Sequence, residues 1–200
     1  MQLDHIVVAA ERLDDAVAHV EDALGVPMQA GGHHVRYGTH NALMGLADGI
    51  YLEAIAIDLD ATPQSLPRWF GLDDFNGAPR LISWAARVPD LPAAIGHYAV
   101  AGDSIDMQRG DLRWRMAVRP DGQLPLAGAF PSLLEWQVSP IPPETLPASG
   151  CSLRRLIVHT PVELASIPDV SAKASIDVLS APALKLEAVF DTPHGERVLT

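Results

Sequence analysis

An order of strand, helix and further strands occurs twice between residues 2 and 138, and that repetition restricts the folds open to this chain. Sliding the sequence by the distance from Leu13 to Leu91 places Leu13, Ala16 and His19 on Leu91, Ala94 and His97. The same slide sets His5 against Ser83, and YLEA at 51–54 resembles LLEW at 133–136, which matches Glu53 with Glu135. A repeated unit of this size buries its apolar faces most readily against its own copy.

Each unit is legible from hydrophobic periodicity. QLDHIVVA (2–9) reads as a buried strand with Leu3, His5 and Val7 on one face. A helix follows, with an apolar stripe at Leu13, Val17, Val20 and Leu24, acidic residues Asp14 and Asp15 in its first turn, and Gly25 and Pro27 ending it. Segments 35–46 and 50–57 read as strands joined by the turn Asp48–Gly49. These make a first module over 1–58. Residues 59–79, rich in Asp, Pro and Gly and holding Trp69 and Phe70, read as a linker. The second module, 80–139, has strands at 80–88, 104–108, 112–118 and 132–138 and a helix from Leu91 to Ala101. A proline-rich join leads into 140–200, where strands are expected at 152–159, 173–179, 183–190 and 197–199. That tail is a shortened third unit, expected to pack on the first two because so short a piece cannot bury a core alone.

Composition narrows the partners. The formal charge is -11, from 14 basic and 25 acidic residues, and no basic run exists, which argues against nucleic acid and anionic membranes. No stretch approaches the roughly 18 apolar residues of a membrane span, and the apolar run Ile6–Ala10 is too short for a signal peptide. The reading is a cytoplasmic protein. The lone cysteine, Cys151, has no partner for a disulfide and reads as a buried structural thiol.

Chemistry is expected where ionisable residues interrupt apolar strands. His5, Glu53 and Glu135 all do so, and an unpartnered buried carboxylate is costly. Converging from two modules, one imidazole and two carboxylates suit a divalent metal such as Zn, Mn, Ni or Fe. Such an ion would polarise a carbonyl or stabilise an enediolate, and a glutamate, Glu53 or Glu135, would serve as base. The segment GGHHVRYGTHNAL (31–43) supplies His34, His40 and Asn41, with His40 read as orienting the substrate and His34 and Asn41 as contacting it. Arg109, Trp114 and Trp136 are further candidates for a substrate pocket, Arg109 pairing an acidic group at its mouth. Solvated surface histidines and tryptophans used only for packing are the competing reading. No phosphate-binding glycine loop and no serine nucleophile elbow occurs.

The opening LDHIVVAAERLDDAV, then GGHHVRYGTHNAL, IYLEAIAI and LLEW, resembles the glyoxalase-like domain family of the vicinal oxygen chelate superfamily. The resemblance implies an α+β fold of tandem βαβββ modules forming a curved, partly open barrel, with the shortened third unit at the C-terminus. It also implies metal ligands on the first and last strands of each module, at His5, Glu53, Ser83 and Glu135. The functional expectation is a metal-dependent lyase or isomerase acting on a small carbonyl or carboxylate compound. The alternative is a small-molecule binding protein with an apolar pocket and no catalysis. Relatives pair modules between chains, so a homodimer is a further expectation.

Overall fold

In a computed structural model covering residues 1–200, the first module comprises β1 (Gln2–Ala9), α1 (Leu13–Leu24), β2 (Gln29–His34), β3 (Thr39–Gly45) and β4 (Tyr51–Ile57). The second comprises β5 (Arg80–Arg87), α2 (Leu91–His97), β6 (Asp103–Arg109), β7 (Leu112–Val118) and β8 (Ser132–Trp136). The tail forms β9 (Ser152–Thr160), β10 (Ser175–Ser180), β11 (Lys185–Thr192) and β12 (Gly195–Leu199). The fold is α+β, with one curled eight-stranded sheet in the order β2-β3-β4-β1-β5-β8-β7-β6 and a second sheet in the order β10-β9-β11-β12.

The modules join through the antiparallel pair β1–β5. There His5 faces Ala85, Ile6 faces Trp84 and Val7 faces Ser83. This register is that of a pseudo-twofold axis between Ile6 and Trp84, and it reproduces the sequence repeat that carries His5 onto Ser83. In each module the first strand pairs in parallel with the last: Val7 with Glu53, and Ala85 with Ser132.

α1 forms because its apolar positions lie on one stripe: Ala16, Val20 and Leu24 are buried. Gly25 ends it in the left-handed conformation, φ 71°, and donates its N–H to Glu21. The stripe packs on the convex side of the large sheet. From the opposite direction the small sheet contributes Leu153, Leu156, Val158, Leu186, Ala188, Phe190 and Leu199 to the same core. Cys151 lies in this core, and burial raises its thiol pKa, against a weaker opposing hydrogen bond from Ser149. The thiol is structural.

Two local readings change. Residues 35–46 are not one strand: β2 and β3 form a hairpin around a turn at 35–38, so GGHH lies in a strand. A register shift between Leu3 and His5 also breaks the alternation of β1. Leu3 packs in the convex core, whereas Val7 joins a second core on the concave side with Ile55, Trp69, Phe70, Trp114 and Met116. This bulge brings Asp4 and His5, adjacent in sequence, into one cluster.

Candidate functional site

The concave face of the large sheet gathers ionisable side chains against an aromatic wall. His5 (β1), Tyr51 and Glu53 (β4), His34 (β2) and Asn41 (β3) come from the first module. Arg109 (β6), Trp114 and Met116 (β7), and Leu134 and Trp136 (β8) come from the second. Trp69 and Phe70, from the 59–79 segment, close the hollow. The enclosed cavity is about 20 Å³, room for a water molecule at most.

Hydrogen bonds give this cluster a direction. Asp4 is fully buried, and its Oδ1 accepts from His5 Nδ1 at 2.7 Å. Its Oδ2 accepts from Trp136 Nε1 at 3.0 Å and Arg87 Nη1 at 3.3 Å. Burial pushes the Asp4 carboxyl upward, but the His5 bond and charge, helped by Trp136 and Arg87, hold it below its ordinary value. Asp4 therefore fixes His5 with Nε2 turned toward Glu53 Oε2, 3.5 Å away. Tyr51 stacks on the His5 ring with centroids 4.5 Å apart. Burial, then the Asp4 and Glu53 charges, raise the Tyr51 phenol well above its usual range, so it remains protonated.

Glu53 Oε1 accepts from Asn41 Nδ2 at 2.5 Å. Asn41 Oδ1 in turn accepts from the Gly32 N–H and from Arg109 Nη1, both at 2.9 Å. Arg109 thus reaches from one end of the large sheet to the other. The two glycines permit this approach. A Cβ on Gly31 would lie 2.1 Å from Asn41 Oδ1 and 2.7 Å from its carbonyl oxygen, and one on Gly32 would lie 2.8 Å from Arg109 Cδ. Gly31→Ala is expected to cost about 1–3 kcal/mol through overpacking against backbone. Urea unfolding of the variant measures this, and a wild-type midpoint would mean that the hairpin yields freely.

His34 accepts from Arg109 Nη1 at 3.4 Å through Nε2, so its Nδ1 carries the proton and donates to Thr39 Oγ1 at 3.1 Å. Trp69 Nε1 donates to the same hydroxyl. Burial, then the Arg109 charge and neighbouring histidines, push His34 well below 6.5. As pH falls below 6.5, the unfolded chain binds a proton at this position that the folded chain refuses, so stability falls. His34→Gln is expected to remove that share of the acid sensitivity. Denaturant titrations at several pH values, wild type against variant, measure it; parallel curves would refute it.

Two candidates lie elsewhere. Glu135 sits between Leu134 and Trp136, which face the hollow, so strand alternation turns it to the opposite side. There Glu135 Oε2 accepts the Leu91 N–H at the start of α2 and Oε1 accepts from Gln137 Nε2. It caps a helix and supplies no ligand beside His5. His40, next to inward-facing Asn41, likewise turns outward and borders a separate cavity with Glu11, Asp14 and Asp58. The reading of His40 as a substrate-orienting group is corrected for the same reason.

Sequence reasoning omits Asp4, Tyr51, Trp69 and Phe70 from the site. Tyr51 was accessible, being two residues from Glu53 and so on its face. Asp4 was not, because it reaches the cluster through a bulge.

Two βαβββ modules wrapped around a concave, polar-floored hollow define the vicinal oxygen chelate class of proteins. Within that class the chain belongs to the glyoxalase-like domain family, which its sequence matches over residues 3–167. Comparison with curated proteins gives no match. Among solved structures, a hypothetical protein from Staphylococcus aureus is 14% identical, with a TM-score of 0.63 over 92% of this chain and 87% of that one. Methylmalonyl-CoA epimerase from Mycobacterium tuberculosis is 20% identical, with a TM-score of 0.42 over 70% of this chain and 89% of that one. The Streptomyces coelicolor methylmalonyl-CoA epimerase in complex with 2-nitronate-propionyl-CoA is 18% identical, with a TM-score of 0.45 over 69% and 99%.

The class implies a divalent metal, and the donor set can be tested against it. Glu53 pairs with Val7, whose pseudo-twofold mate Ala85 pairs with Ser132. The four equivalent positions are therefore His5, Glu53, Ser83 and Ser132. The Ser83 and Ser132 hydroxyls are buried and lie 3.3 Å from each other. Two strong donors remain, fewer than the three protein ligands of a catalytic zinc centre. The residues at this centre do not fit a resident metal ion.

Proposed function

We propose that the protein is an isomerase-type enzyme that moves a proton at the carbon beside a carbonyl of a small carboxylate-bearing compound, without a metal at the His5–Glu53 centre. The observation that carries this is the His5–Glu53 pair, with His5 Nε2 3.5 Å from Glu53 Oε2 on the polar floor of an aromatic-walled hollow. Asp4 occupies the Nδ1 proton of His5 and Asn41 occupies the other oxygen of Glu53. The two facing atoms are thereby reserved for a shuttling proton.

Because the hollow as it stands has room for a water molecule at most, Arg109 would first leave Asn41 and then hold the substrate carboxylate, in a charge-assisted pair stronger than its bond to a neutral amide. Glu53 would take the proton from carbon, breaking C–H and forming O–H. The Asn41 amide would then donate to the developing enolate oxygen, and His5 Nε2–H, 3.5 Å from the base oxygen, would return a proton to the enolate from the same side. Transfer from Glu53 to His5 restores the starting state. Tryptophans 69, 114 and 136 would exclude water from the reaction.

The test is proton exchange followed by NMR in deuterium oxide, using a panel of α-keto acids, α-hydroxyketones and β-dicarbonyl acids. Exchange beside the carbonyl that persists after chelation is expected for at least one class. Exchange abolished by chelator and restored by a divalent ion, in a His33→Ala variant as in the wild type, would overturn the metal-free reading. The aromatic lining favours one other reading, a non-catalytic binding protein. That reading predicts an organic ligand released on denaturation and no exchange for any member of the panel.

A further inference from the structure

The segment 31–43 brings three histidines close in sequence, and the hollow uses only His34. His33 and His40 are cross-strand partners on β2 and β3, on the face opposite His34 and Asn41. Asp58, just beyond β4, meets them from the third strand. Its Oδ2 accepts from His33 Nδ1 at 2.7 Å, and its Oδ1 accepts the Asp60 N–H at 3.1 Å. The His33 and His40 rings lie 5.9 Å apart, and one ligand atom from each of the three residues falls within 4.8 Å of the others.

We infer that His33, His40 and Asp58 form a binding site for a borderline divalent ion of the zinc class, on the outer edge of the first module and separate from the His5–Glu53 hollow. Several features support this. The ligand types are those such an ion takes, two imidazoles and one carboxylate. The His40 side chain makes no hydrogen bond, whereas the imidazoles of His5 and His34 in the concave site are both engaged. The neighbouring cavity of about 150 Å³ is lined by Glu11, Asp14 and Asp60 as well as His40 and Asp58, so its charge is negative despite Arg12.

The geometry needs little adjustment. Zinc–ligand bonds of about 2.0–2.1 Å set tetrahedral ligand atoms roughly 3.4 Å apart. The His33 side chain is 69% exposed and so free to adjust, while Asp58 is anchored by the Asp60 amide. Three protein ligands leave at least one position for water or a ligand from outside. An ion here would fasten the β2–β3 hairpin, which carries His34 and Asn41, to the end of β4, which carries Glu53. The inference is independent of the proposed reaction.

Isothermal titration of chelator-stripped, full-length protein with zinc chloride tests it, with cobalt(II) absorption as a second readout. One ion per chain is expected, together with a raised melting temperature. His33→Ala, His40→Ala and Asp58→Asn are each expected to weaken binding by at least ~10-fold, the lower end of what even outer-sphere changes cost. His5→Ala should leave zinc affinity unchanged. Circular dichroism confirms that each variant is folded; the exposed His33 makes its variant the safest. Absence of zinc binding, or binding untouched by His33→Ala and His40→Ala, overturns the site, as does binding lost only with His5.

Discussion

Replacing Asp4 by Ala is expected to lower the unfolding free energy by about 3–5 kcal/mol, the cost of removing one partner from a buried charged cluster. The carboxylate is fully buried and satisfies three donors: His5 Nδ1, Trp136 Nε1 and Arg87 Nη1. Alanine leaves His5 Nδ1 and Trp136 Nε1 without an acceptor, while Arg87 Nη1 retains only the Gly49 carbonyl. Asp4→Asn keeps one acceptor and much of the shape, and should lose less. Because the folded carboxyl titrates below its ordinary 3.8, its stabilisation is complete above that pH and fades as pH drops further. The gap between wild type and Asp4→Ala should therefore hold from neutrality to about pH 4 and narrow under stronger acid. Urea unfolding across this range is the measurement, and an Asp4→Ala protein as stable as wild type at pH 7 would contradict it.

Glu53→Gln is expected to slow proton exchange on a competent substrate by about 10²–10⁴-fold, the usual contribution of a positioned base. Glutamine can rotate to keep an acceptor toward Asn41 Nδ2, so the fold should be retained. What it lacks is an oxygen able to take a proton opposite His5 Nε2. Single-turnover exchange measured by NMR, alongside a melting curve, separates lost chemistry from lost structure. A folded Glu53→Gln protein that exchanges at the wild-type rate would remove Glu53 from the base role and leave the binding reading standing.

Periodicity carried most of the architecture. The stripe from Leu13 to Leu24, the Asp48–Gly49 turn and the offset relating His5 to Ser83 reappear as α1, the β3–β4 connection and the pseudo-twofold register. The concave set was harder to read because strand neighbours point apart. Both His40 and Asn41, and both Glu135 and Trp136, were candidates for one hollow, yet a pleated strand admits only one of each pair. Which one enters depends on register, which a single sequence leaves open. In the second module the mate of Glu53 is Ser132, three residues before the glutamate that resembles it. A matching residue type drew the alignment away from the matching position.

The bonds from Arg109 to Asn41 and His34 tie β6, one outermost strand of the large sheet, to β3 and β2 at the sheet's other end. An arriving carboxylate needs the same guanidinium. On the proposed reaction, admission of a substrate and unfastening of this tie would be one event, in which a charged acceptor takes the place of a neutral one. A molecule without an anionic end offers nothing in exchange for that bond. The proposed chemistry would thus select its substrates by charge at Arg109 before any of them reaches Glu53.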